Sequence, residues 1–588
     1  MASLPSFLSP TSSFTTQPIS TKRPPTPHYF PKTISCKSNG NDDNNVQERK
    51  SFSGRRDLLI SIGGLYGYAA GFAPNPRMAI ASPIQAPDIS KCGSAEIPAG
   101  GTPTDCFPPF KSTINPPFNS TIIDFVPRQN QGPPRVRPAA HLVDAEYLKK
   151  YEKAVELMRA LPANDPRNFT QQANVHCAYC DGAYDQVGFP KLDLQVHNSW
   201  LFFPWHRFYV YFHERILGKL IGDDSFALPF WNWDSPHGMV LPAFYTKPSS
   251  SLYNKNRNPN HQPPVTIDLN GNTNQNFTNA ELIEDNLKII HRQMISNGKT
   301  AQLFLGAPYR AGDEPNPGSG SIELTPHGPV HIWTGNPANP NNEDMGNFYS
   351  AARDPIFYAH HGNIDRLWSV WKTLGGNRKD FKDPDWLDAS FLFYDENAQL
   401  VKVKVRDCLD TENLGYKYQE VESLWLNKRP TPKAGTSTKG LLKKKAPAVS
   451  GEPAFPVTLN KPVSATVKRP KKGRSQKEKE NEEEVLLVEG IVVDRHEFVK
   501  FDVYINSSEE EKLRPSASEF AGSFVNLPHK HGHGKKVKDL KTNLRLGITD
   551  LLEDLGAEDD DSVVVTLVPR TENGSKMKVG GLRIEFSS

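Results

Sequence analysis

The sequence predicts a mainly α-helical domain followed by a smaller β-sandwich-like domain, and three observations carry that reading. Apolar residues recur at three- and four-residue steps in AEYLKKYEKAVELMRAL (145–161), and aromatic residues crowd WHRFYVYFHERILGKLI (205–221), as expected of helices that bury a face. From residue 386 the pattern shifts to alternation, as in SFLFYDENAQLVKVKVRD, with a turn at Asp395-Glu396-Asn397. Further on, KRPKKGRSQKEKENEEE is basic and then acidic; with almost nothing to bury, it reads as part of a tether.

The chain has 588 residues, too many for one ordinary domain. Lys+Arg number 69 and Asp+Glu 66, for a net charge of +3. That balance gives no argument for a nucleic-acid partner. Pro is frequent at 51 and mean hydropathy is −0.56, so loops and linker are expected. The six cysteines, at 36, 92, 106, 177, 180 and 408, are too few for a disulfide-built scaffold.

In chain order, the first feature is an address. Residues 1–41 lack Asp and Glu and are rich in Ser, Thr and Pro, the composition of a transit peptide. Arg55-Arg56 then precede a Gly-interrupted apolar run from Leu58 to Ala73, and AIA at 79–81 resembles a signal-peptidase site. The run is too short for a membrane span. Two addresses in series resemble bipartite plastid signals, which implies entry to the chloroplast and then the thylakoid lumen. Residues 1–86 are assigned to this segment, with maturation near Ser82 to Pro87.

Residues 87–140 are Pro-rich and read as irregular. Helices are expected at 145–161 and 205–221, across TPHGPVHIW, and over HHGNIDRLWSVWKTL (360–374); residues 246–280 read as loops. A linker is placed at 431–484. Short strands are then expected in VLLVEGIVVD, FVKFDVYIN, LRLGITDLL, VVVTLVP and LRIEF, within a β-domain spanning 485–588.

The chemistry lies in the histidines, of which there are 17. His327 and His331 are four apart and share a helix face, and Pro326 fits a helix start. His360-His361 open the next helical segment. Glu323, Asp354 and Asp365 are the nearest acids. Upstream stand His176, His197 and His206, the last at the entry of the aromatic helix. Two groups of three, each followed by aromatic helices, point to a metal site. Imidazole-rich sites without thiolates suit copper, zinc, iron or nickel.

HCAYC (176–180) admits other readings. A zinc site would need a second pair of cysteines, which the chain lacks. Cys177-Ala-Tyr-Cys180 has the spacing of a redox pair but no βαβ context. His213 reads as a packed or surface residue, and His529, His531 and His533 as a solvated loop. Asn119, Asn168, Asn276, Asn506 and Asn573 match the glycosylation pattern, unused in a plastid.

The sequence resembles the plant polyphenol oxidases, the catechol oxidase/tyrosinase family with a type-3 dinuclear copper centre. The motifs are HCAYC, HNSWLFFPWHRFYVYFHERILGKLIGD, ALPFWNWDSP, HGPVHIWTG and DPIFYAHHGNIDRLWSVW, with DPDWLD (383–388) and KFDVYIN (500–506) beyond them. The resemblance implies two copper ions inside a central four-helix bundle within 87–430. His176, His197 and His206 would hold the first, and His327, His331 and His361 the second. His360, Asn363 and Asp365 would stand behind the ligands and support them. It also implies a Cys180–His197 thioether and a Cys106–Cys177 disulfide, leaving Cys92 without its usual partner. Phe348 matches an aromatic ring over the site, and Glu323 a carboxylate that holds a water. Gly328 and Ile332, directly after His327 and His331, match positions that govern monophenol use.

The implied reaction is oxidation of o-diphenols to o-quinones with O₂ reduced to water, latent until the C-terminal domain is displaced. Small phenols and O₂ are the implied partners. The alternatives are a specialised phenol hydroxylase, an aurone-forming enzyme, or a type-3 copper protein that only binds oxygen.

Overall fold

The structure, a computed structural model, describes residues 82–101, 121–127, 132–271, 277–430, 453–507, 514–530, 539–572 and 577–587. Residues 1–81 of the targeting segment, Cys106, His531 and His533 lie outside these residues, whereas Ile84, placed in that segment, is buried in the helical core. Among the described residues no helix is long and apolar enough to cross a membrane.

Four helices position the site. Helix α1 (Ala145–Ala160) is capped by Asp144, whose carboxylate accepts the Tyr147 N–H, and it buries Tyr151, Ala154, Val155 and Met158. Helix α2 (Phe169–Cys180) carries HCAYC and is buried from Gln172 to Cys180. A helix enclosed on all sides has no polar face, so its period is invisible in the sequence. Helix α3 (Phe202–Leu220) is buried through Gly218. Helix α4 (Asn279–Met294) starts at a capping box in which Thr278 and Glu281 satisfy each other's backbone. The helix expected over TPHGPVHIW is interrupted: Thr325 is extended (φ −142°, ψ 122°) beside Pro326, and the regular part is α5 (Gly328–Thr334). Helix α6 (Ile356–Thr373) carries the histidine doublet. The bundle around the site is therefore α2, α3, α5 and α6, with α1 and α4 flanking it. The expected hairpin follows as β1 (Ser390–Tyr394) and β2 (Leu400–Lys404), antiparallel.

The C-terminal domain begins earlier than expected. Val457–Thr458 and β3 (Val463–Lys468) are strands, and Gln476–Asn481 is a short helix, inside the stretch read as linker. Strand β3 pairs with β8 (Ser562–Pro569). Its neighbours are so rich in Lys that its alternation was masked. One sheet has the order β6 (Phe520–Asn526), β5 (Val499–Ile505), β8, β3. In the other, β4 (Glu483–Asp494) is flanked by β7 (Asp539–Gly547) and β9 (Gly581–Ser587), both antiparallel to it. Strand β6, FAGSFVN, went unrecognised. Thr549–Asp554, read within a strand, is a helix.

The two domains interlock. Leu324, on the turn before α5, belongs to the apolar core of the β-domain, and Leu527, just past β6, belongs to the helical core. Lys299 bonds Glu483 (3.0 Å), Arg514 bonds Glu281 (3.0 Å), and Arg429 bonds Asp554 (2.9 Å) across the same boundary.

Candidate metal centre

Two histidine clusters meet at the centre of the bundle. His176 (α2), His197 (a bend before α3) and His206 (α3) form one; His327, His331 (α5), His360 and His361 (α6) form the other. Within each, the potential ligand atoms lie within 4.8 Å of one another. The clusters are adjacent: the rings of His206 and His361 stack at 4.2 Å, and His197 faces His327 at 6.1 Å.

The ring hydrogen bonds decide what each imidazole offers. His176 Nδ1 bonds the Phe348 carbonyl (3.0 Å), His206 Nδ1 that of Phe202 (2.8 Å), His327 Nδ1 that of Glu323 (3.0 Å) and His331 Nδ1 that of Met345 (2.7 Å). A carbonyl only accepts, so each Nδ1 carries the proton and each Nε2 keeps its lone pair. The Nε2 atoms of His176, His206 and His327 are buried without a partner, as are both ring nitrogens of His361. Orphaned acceptors converging in a buried space are costly unless a cation fills it. The residues fit a metal, and neutral nitrogen donors suit copper.

His360 differs. Its Nδ1 accepts the Trp233 indole N–H (3.1 Å), so its proton resides on Nε2, where a ligand needs a lone pair. Proximity gives the second cluster four donors; the proton leaves His327, His331 and His361. Burial keeps these rings uncharged, holding His176 near a pKa of about 3 and His331 near about 4.

His197 has no carbonyl for its Nδ1. Gln195 holds its backbone instead: Oε1 accepts the His197 N–H (3.0 Å), while Nε2 donates to the Cys180 carbonyl (3.0 Å). Cys180 is a buried thiol. Cys177 is disulfide-bonded, and Cys92 donates its S–H to the Ile89 carbonyl (3.1 Å).

Above the clusters, Phe348 stacks on His197 at 4.1 Å, and His529 of the β-domain stacks on Phe348 at 5.0 Å. His529 is thus buried against the site, not in a solvated loop. Glu323 accepts the Asn198 N–H (2.6 Å) through Oε1, and Oε2 is unpartnered; burial pushes its carboxyl up to about 8. The cavity among His197, Glu323, His327, Gly328 and Phe348 measures about 20 Å³, closed by Val525, Leu527 and His529. That admits roughly one water, not a phenol. A Cβ at Gly328 would stand 3.0 Å from Val525 Cγ1.

Three expected roles change. Asp365 meets none of the imidazoles: Arg137 (3.1 Å), Arg207 and Tyr416 (2.6 Å) claim it. Asn363 bonds Asp234 (2.9 Å). Both brace α6, and backbone carbonyls do the orienting expected of them. Ile332 lines a neighbouring groove instead of the histidine cavity. His213 is packed, stacking on Tyr358 at 3.5 Å. Sequence reasoning missed Trp233 and the carbonyls, although two of the latter, Phe202 and Glu323, lie four residues before their histidine, one helical turn.

Comparison with known proteins agrees with this geometry. Residues 166–374 match the family model described as the common central domain of tyrosinase. Residues 380–431 match the polyphenol oxidase middle domain, and 455–586 the chloroplastic polyphenol oxidase C-terminal domain. A chloroplastic polyphenol oxidase of Malus domestica is 56% identical over 572 residues, covering 95% of this chain and 93% of that one. Aureusidin synthase of Antirrhinum majus is 53% identical over 94% of this chain and 98% of its own. The structure of latent apple tyrosinase superposes with a TM-score of 0.75 at 59% identity, covering 80% of this chain and all (100%) of that one.

Proposed function

The chain belongs to the plant polyphenol oxidases, copper enzymes of the tyrosinase family that act on phenols with O₂, and from that premise we propose that it oxidises o-diphenols to o-quinones. The observation that carries the reading is the convergence of unprotonated imidazole nitrogens from two clusters on one buried space. His176, His197 and His206 hold one copper, and His327, His331 and His361 the other. Bound there, the pair supplies a two-electron couple between the diphenol and O₂.

The chain's own groups set the rest. The Phe202, Glu323, Met345 and Phe348 carbonyls fix four ring orientations and keep the proton on Nδ1. Phe348 covers His197. Glu323 Oε2, bordering the cavity without a partner, is placed to hold a water. Gly328 offers no side chain to take a phenolic proton, which favours diphenols over monophenols. A Cys180–His197 thioether would do for His197 what a carbonyl does for the others; Gln195, bonded to both backbones, supports it. A Cys106–Cys177 disulfide is consistent with the bonded state of Cys177.

The enzyme is a chloroplast protein, with the thylakoid lumen as its final address, and latent as made. Closure of the cavity by Val525, Leu527 and His529 supports latency. Copper analysis, with oxygen uptake on a catechol, a monophenol and a chalcone before and after detachment of the C-terminal domain, tests the reading. Two coppers and fastest uptake on the catechol are expected. No uptake on any phenol overturns it, and a chalcone preference replaces it with the aurone-forming alternative.

A further inference from the structure

Beside the closed histidine cavity lies a far larger groove, of about 780 Å³. That is well inside the range of about 300–1,000 Å³ typical of small-molecule sites. One wall comes from α5 and the turn around it: Pro329, Ile332 and Trp333. The β-domain contributes His496, Phe498 and Pro528. Pro337 and Pro340 form the rim. The β-domain therefore completes a groove whose lining is mostly helical-domain. It is distinct from the histidine cavity, though it adjoins it, since Ile332 follows His331 and Asn347 precedes Phe348.

Its lining selects a chemistry. Trp333 and His261 line it as a stacked pair, at 4.3 Å and 8°, a rigid aromatic element that presents edges and the outer imidazole face. The prolines present C–H edges on rings that lose no freedom when an arene packs on them. Amides of Asn258, Asn339 and Asn341 are interspersed, so polar groups for hydroxyls are present. No lysine or arginine is among the described lining residues, and Asp268 is. Phosphates and other anions are therefore disfavoured. A single catechol would leave most of the volume unfilled.

We propose that this groove binds an uncharged polyphenol of two or more rings, and that the ligand, touching residues of both domains, holds the C-terminal domain in its closed position. The phenol class rests on the reading of the protein as a phenol oxidase. Linkage gives the consequence: a ligand that binds the closed form more tightly favours closure, by up to about tenfold at ten times its Kd. Abundant polyphenol would thus restrain the enzyme's activation from a site apart from the copper centre.

The probe is pinocembrin, a dihydroxyflavanone with no catechol and no hydroxyl on its pendant phenyl ring. Calorimetry on the copper-loaded full chain should show one saturable site. Phe498→Ala and Pro340→Ala, both far from the histidines in role, should each raise Kd at least tenfold while copper content and oxidation after detachment stay unchanged. Pinocembrin should also slow proteolytic activation of the wild type and not of Phe498→Ala. No saturable binding, or binding that both variants leave intact, overturns the proposal. Loss of the oxidase reading is seen separately, as absent oxygen uptake on catechol, because the binding measurement needs no turnover.

Discussion

In the helical half, Asp365 is buried between Arg137 and Arg207, Asp234 lies against Arg366 (2.5 Å), and Glu214 bonds Arg137 (2.8 Å) and Arg135 (3.0 Å). In the β-domain the interior is mostly a packing of Leu, Val, Ile and Phe between two sheets, and among the described residues its buried charges include two islands, Asp502 held by Lys500 and Arg570 and Glu484 held by Arg469 (2.7 Å). Directional bonds fix helices in register, and the histidines need that register within fractions of an ångström. A lid needs only shape, which apolar packing provides. Where the halves meet, the contact is mixed: Leu324 and Leu527 exchange sides, and ion pairs ring them.

The comparison breaks most severely at the centre. His206→Ala or His331→Ala should lower oxygen uptake on catechol by at least about a thousandfold, with copper per chain falling below two; full activity in either variant sinks the ligand assignment. Asp365→Asn should destabilise the helical half by about 3–5 kcal/mol, since it leaves two arginines buried without their carboxylate. The arginines hold the Asp365, Asp234 and Glu214 carboxyls below their ordinary values. Their stabilisation is therefore fully present above pH ~4 and lost as pH falls through the lowered folded values. Thermal midpoints against pH check both points, and a flat acid limb would remove the ion pairs from the account.

Removing the lid, with a chain that ends at Leu426, should raise turnover about tenfold or more in proportion to the opened cavity; equal activity in the two forms would mean the lid does not shield. Glu483 gives a smaller effect of opposite sign to Asp365. Burial raises its carboxyl to about 7, so its contribution is present at low pH and lost as pH rises through about 7. Relative to Glu483→Gln, the wild type should lose on the order of 1–3 kcal/mol between pH 5 and 8, read as a difference in thermal midpoints. Smallest is Gly328→Asn. It should raise the ratio of tyramine to dopamine turnover severalfold and loosen the lid by crowding Val525; a wild type that already hydroxylates tyramine as fast as it oxidises dopamine, without a lag, contradicts the role of Gly328.

What could be read from the sequence follows the same divide. Helices α1, α3 and α6 and most strands announced themselves by period, and the histidines by number and spacing. Helix α2 did not, being buried all round, and β3 was lost among lysines. Asp365 was misassigned because sequence shows what is near along the chain, whereas its partner Arg137 is 228 residues away. The carbonyls that orient the rings carry no residue signature, and Trp233 acts from 127 positions upstream of His360.

That indole has a consequence for anyone who builds such a site. A fourth imidazole within reach of an ion is a competitor, and competition between donors yields coordination isomers instead of one geometry. Occupying the competitor's acceptor nitrogen disarms it without removing its bulk. In a Trp233→Phe chain His360 would regain that choice, and the spectrum of the loaded centre would broaden into a mixture. A metal site is specified as much by which nitrogens are kept out of it as by which are brought in.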